Sequence, residues 1–80
     1  MLSQMVIDIL ENIDMFSRAW RQVVIPKYGI DVCSEFTVEQ AGEVWREEFG
    51  IVSIIDKYNR FRYAEFTNER EASWFLLRWS

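Results

Sequence analysis

Eighty residues with 13 acidic and 9 basic side chains, a net charge of −4, describe one small domain that is poorly matched to phosphate backbones or anionic lipid. Half of the chain is apolar, with four Trp and six Phe but only three Gly and one Pro, which argues for a compact core and against a disordered or low-complexity chain. The single cysteine and the absence of histidine exclude an internal disulfide, a conventional zinc site within one chain and any Ser–His or Cys–His pair.

The first apolar stretch has no basic segment before it and is interrupted by Asp8 and Glu11, so it predicts neither a leader nor an anchor. Residues 3–24 fit an amphipathic helix. Met5, Val6, Ile9, Leu10, Ile13, Phe16, Trp20, Val23 and Val24 fall within one face, Ser3 could cap the start, and Pro26 limits continuation. A rival reading makes "MVIDIL" a strand and starts the helix near Asp14.

"PKYGIDVCSEF" reads as a connector in which Ile30, Val32 and Cys33 suit a short strand. "TVEQAGEVWREEFG" is a helix, with Thr37 and Gln40 as a capping box and Gly50 as its stop. Val38, Ala41, Gly42, Trp45 and Phe49 form its apolar face. "IVSII" and "RFRYAEF" read as strands joined through "DKYN" into a hairpin. Asn68 with Glu71 forms a second capping box and opens a last helix to Trp79, whose core face is Ala72, Phe75, Leu76 and Trp79.

The pattern predicts an α+β domain over residues 1–80, a small antiparallel sheet with a β-hairpin packed by about three helices. Its order, α-β-α-β-β-α, contains from residue 30 a ferredoxin-like split βαβ unit without its last strand. A two-stranded hairpin is marginal alone, so the short strand or another chain must complete the sheet. An open edge makes a homodimer plausible.

Three groups of residues are candidate contact surfaces. On the last helix Trp74 and Leu77 point away from the core face, and with Arg70 and Arg78 they resemble a protein-binding patch in composition. The structural alternative packs Trp74 or Leu77 beneath the 26–36 segment or a second copy. Glu39, Glu43 and Glu47 form an acidic stripe on the second helix. It suits a basic partner surface, or is simply a solvated face. Arg60, Phe61, Arg62 and Tyr63 are candidates for nucleic-acid contact. If Ala64 and Phe66 face the helices, alternation puts Phe61 and Tyr63 on the other side, where the first helix could cover them.

Segment 30–79 resembles the RNA-recognition motif in outline. "VWREEFG" precedes the second strand, "NRFRYAEF" stands where that family has an aromatic octapeptide, and "NEREA" follows. The resemblance implies single-stranded nucleic-acid binding, with Phe61 and Tyr63 as stacking rings. Asn59, Arg60 and Arg62 depart from the family's basic, glycine and small positions. A second resemblance covers about fifteen residues. Phe66, Glu69, Ala72, Phe75, Leu77, Arg78 and Trp79 give "F-x-x-E-x-x-A-x-x-F-x-L-R-W", similar to the tails of small uncharacterised proteins of tailed bacteriophages. It implies an accessory protein of the host cytoplasm that binds and inhibits a host enzyme or defence complex.

No glycine-rich phosphate loop or paired catalytic carboxylates are visible, and Cys33 suits a small buried hydrophobe. The sequence therefore predicts a cytoplasmic, non-enzymatic protein-binding module with no cofactor, metal or membrane anchor. Its expected partner is a host protein or complex.

Overall fold

The structure, a computed structural model, describes residues 5–80. The fold is α+β, and the described residues form a small three-stranded antiparallel sheet and four helices. β1 is Met5–Asp8, β2 Ile51–Ile55 and β3 Phe61–Phe66, in the order β1-β3-β2. Helix α1 spans 13–28, α2 is Ile30–Ser34, α3 Val38–Phe49 and α4 Glu69–Trp79.

The third strand comes from the N-terminal segment and not from residues 30–33. The long helix predicted over 3–24 therefore does not form, and the rival strand reading of "MVIDIL" is closer. The predicted cap Ser3 lies outside the described residues. Two forces separate strand from helix here. Ile7 and Ile9 are buried at period two, and β3 requires a partner on this side. The turn that follows uses local polar groups: Asp8 Oδ1 accepts from the Glu11 N–H (3.2 Å), and Asn12 Nδ2 donates to the Asp8 carbonyl (2.9 Å).

Helix α1 also runs past Pro26. It is α-helical over Ile13–Ala19, widens to a π-helical turn over Trp20–Val24, and resumes over Ile25–Tyr28. Pro26 has no N–H for the carbonyl one turn earlier. The preceding turn opens so that the Ile25 N–H reaches the Trp20 carbonyl. Gly29, at φ 92°, ends the helix.

The short strand expected at 30–33 is instead α2. The Cys33 N–H donates to the Gly29 carbonyl (3.0 Å), and Ser34 Oγ donates to the Asp31 carbonyl (2.8 Å). Cys33 is half-buried.

Helix α3 starts on the complete capping box, in which Thr37 Oγ1 accepts from the Gln40 N–H and Gln40 Oε1 accepts from the Thr37 N–H. It ends at Gly50 in the left-handed region, φ 68°. Of the capping box predicted at Asn68 and Glu71 one half forms: Asn68 Oδ1 accepts from the Glu71 N–H to open α4. The hairpin is a three-residue loop: Asn59 N–H donates to the Asp56 carbonyl, Asp56 N–H donates to the Arg60 carbonyl, and Asn59 takes φ 60°.

One face of the sheet carries the core. Ile7, Ile51, Ala64 and Phe66 join Phe16, Trp45, Phe75 and Trp79 in a single cluster. Rings interlock within it: Phe16 lies 5.1 Å from Phe75 and 5.8 Å from Trp45, and Phe66 lies 5.5 Å from Phe75. Helices α1, α3 and α4 thus share one side of the sheet. The first helix does not cover the other.

A β-bulge decides which residues face which side. Ile54 pairs with Tyr63, but Ile55 pairs with Phe61, so β3 holds one extra residue, Arg62. The extra residue resets the alternation. Phe61 lies under α3, its ring edge 3.9 Å from where a Cβ on Gly42 would be. It packs against the same core as Ala64 and Phe66. Val6, Val52, Ile54 and Tyr63 lie on the uncovered face, and all four are exposed.

Candidate functional site

The outer face of α4 is an apolar surface that a partner could grip. The helix is fixed by Ala72, Phe75 and Trp79, which are buried. The helical repeat then places Arg70, Trp74, Leu77 and Arg78 outward. Trp74 is 67% exposed and Leu77 80%, among the largest values for apolar residues here. Neither packs beneath the 26–36 segment. Arg70 and Arg78 are exposed beside them, and the Arg78 guanidinium lies over the Trp79 ring at 4.9 Å.

Trp74 and Arg78 also line a cleft of about 390 Å³, with Val23, Glu48 and Phe49 on its other wall. Lys27 Nζ bonds Glu48 there at 2.8 Å, tying the end of α1 to α3. An indole beside a cleft with charged walls can dock an apolar or aromatic side chain while the arginines bond carboxylates or carbonyls.

Glu39, Glu43 and Glu47 are exposed on α3. The stripe is not uniformly acidic, because Arg46 Nη2 bonds Glu43 Oε2 at 2.8 Å. Glu39, Glu43 and Arg46 line a groove of about 530 Å³ between α3 and the β2 edge.

The four residues of the nucleic-acid reading are not brought together. Phe61 lies on the helical side and Tyr63 on the open side. Arg60 reaches back to Asp56 (3.6 Å), and Arg62 bonds Asp8 (3.1 Å). The bulge therefore leaves no pair of adjacent rings on one face.

A further groove, of about 490 Å³, was hidden by the single-helix reading. A continuous helix over 3–24 puts Leu10 and Ile13 on its buried face, yet both are about half exposed in the structure. With Ile9, Trp20, Trp45 and Phe61 they line an apolar groove. Asp8 and Asn12, both turn formers, are the sequence signal that marks the break.

The described residues bring together no group of three or more His, Cys, Asp or Glu side chains suited to a metal ion. None of their polar or charged side chains is buried. The carboxylate with a distinct electrostatic setting is Asp56, at the hairpin. Partial desolvation pushes its carboxyl up. Bonds from the Arg60 and Tyr58 N–H groups, with the nearby Arg60 and Arg62 charges, outweigh that and hold it below its ordinary value. Its work is to shape the turn. No helix of the described residues is long and apolar enough to cross a membrane.

No family model matches the chain, and neither does any curated protein or solved structure.

Proposed function

We propose that the protein is a non-enzymatic protein-binding module whose contact surface is the outer face of α4. The observation that carries this reading is the joint exposure of Trp74 and Leu77 between Arg70 and Arg78. A buried Trp and Leu would cost nothing to explain. Exposed together on one helix face, they lose hydrophobic stabilisation that a partner surface would restore. The C-terminal pattern from Phe66 to Trp79 supports a finer version: a bacteriophage accessory protein, acting in the host cytoplasm, that inhibits a host enzyme or defence complex by contact alone.

The test is affinity capture from bacterial cells with the tagged chain beside its Trp74→Ala/Leu77→Ala variant. A host protein captured in stoichiometric amount by the wild type and lost with the variant is the expected result. Capture that is unchanged by the double substitution would remove α4 from the contact. Salt-sensitive capture of RNA would replace this reading with the nucleic-acid one.

A further inference from the structure

The groove between α1 and α3 has the form of a small-molecule site. Its volume of about 490 Å³ lies in the range of such sites, and its lining is mostly apolar. Ile13, Phe16, Ser17, Trp20 and Arg21 line it from α1, a stripe at helical spacing. By the helical rise, that stripe runs about 12 Å from Ile13 to Arg21. Helix α3 faces it with one turn, Ala41 to Trp45. The long axis of the groove therefore follows α1.

The two ends differ in charge. Phe61 and Ile9, whose N–H donates to the Arg62 carbonyl at 2.9 Å, close one end. Leu10 and Ile13 form the rim there. They are 51% and 48% exposed and lose hydrophobic stabilisation that an apolar chain would restore. Asp8, Glu11 and Asp14 adjoin them in sequence, which disfavours an anion at this end. Arg21 lines the other end, and no other lining residue among those described is charged. Its Nε donates to the Ser17 carbonyl at 3.4 Å, one turn back. Arg21 pairs with no carboxylate among the described residues, so its terminal nitrogens keep their donors for a ligand.

We propose that this groove binds a medium-chain fatty acid as its anion, with the carboxylate on Arg21 and the acyl chain running toward Leu10 and Ile13. An apolar groove with one cationic end selects an amphipathic anion. A guanidinium fork matches a carboxylate through two parallel N–H···O bonds, and the Ser17 hydroxyl adds a neutral donor beside it. The length of the α1 stripe sets the length of the chain, and the single facing turn of α3 favours an unbranched one. Trp20 and Trp45, with ring centroids 5.3 Å apart, give that chain an aromatic wall.

Isothermal titration calorimetry with decanoate, at neutral pH and below its micelle concentration, tests this. The wild type is expected to bind one decanoate per chain. Decanol and decyltrimethylammonium carry the same chain with a neutral or a cationic head, and each is expected to bind at least about tenfold more weakly. Arg21→Gln should weaken decanoate about tenfold and leave decanol unchanged. Ala41→Leu fills the groove and should abolish binding of both. Ile13→Asp should also weaken both, by removing apolar contact at the rim. Ile13 is exposed in the first turn of α1, where an acid suits the helix dipole, so this variant decides the matter if Ala41→Leu does not fold.

Several results would overturn the proposal. Binding that never saturates, or several decanoates per chain, would mean adventitious association with exposed apolar surface only. Decanol or decyltrimethylammonium binding as tightly as decanoate would reject the carboxylate, and so would an Arg21→Gln variant of unchanged affinity. A folded Ile13→Asp variant that keeps wild-type affinity would place the chain outside this groove. No described residue of α4 lines the groove, so this assignment and the protein-binding one can each fail while the other stands.

Discussion

Arg18 Nη1 donates to the main-chain carbonyl of Trp79 at 2.6 Å, joining α1 to the C-terminal end of α4 across 61 positions of sequence. The last carbonyls of a helix have no intrahelical donor and carry partial negative charge. A guanidinium placed there satisfies one of them and complements the dipole. Arg18→Met keeps most of the aliphatic stem and removes the donor. It is expected to lower stability by about 1 kcal/mol in a urea titration, the scale of one charge-assisted bond in partial solvent.

The bulge at Arg62 separates two neighbouring aromatics by consequence as well as by face. Phe66 is fully buried, and Phe66→Ala is expected to cost about 3–5 kcal/mol, enough to unfold much of a domain this small. Phe61 is half-buried under α3, so Phe61→Ala should cost less, about 2 kcal/mol. Tyr63→Ala, on the open face, should stay within about 0.5 kcal/mol. Urea midpoints for the three variants check the order. Equal losses at Phe61 and Tyr63 would mean that the bulge does not divide them.

Asp56 predicts an acid-sensitive hairpin. Its carboxyl is held below its ordinary value in the fold, so folding favours the ionised form. That contribution is complete above the unfolded-state value of about 3.9 and is lost as pH falls through the folded value. The melting temperature of the wild type should therefore fall in this window, and Asp56→Asn should fall less steeply. Parallel curves for the two proteins would remove Asp56 from the account.

Thr37 supplies both halves of the α3 start, through its side-chain oxygen and its own N–H. Thr37→Ala should destabilise the domain by about 1 kcal/mol, and Thr37→Ser should retain most of the bond. Thermal melts of the two variants measure the difference.

The elements legible in the sequence are those specified locally. Thr37, Gln40 and Gly50 bracket α3, and Asn68 opens α4, because caps act within four residues. The hairpin was readable for the same reason: a polar turn between two β-rich runs. What was not legible depended on partners distant in sequence. Met5–Asp8 is a strand because β3 lies beside it, and its apolar spacing also fitted a helix. Residues 30–34 became a helix once the sheet had its third strand elsewhere. On α4 the exposed positions of Trp74 and Leu77 followed from helical spacing. The splitting of Phe61 from Tyr63 did not, since one inserted residue reverses every facing beyond it and no composition marks it.

The register of β1 has a consequence for how the chain folds. Met5 pairs with Phe66, and Asp8 with Tyr63. The earliest described strand thus waits for one of the last, and the long loop between them must close before its pairing returns any free energy. During synthesis Ile7, Phe16 and Trp45 emerge well before Phe66, Phe75 and Trp79, the rings that cover them. The core cannot be complete until those last rings are present, and apolar surface left uncovered until then is exposed to aggregation.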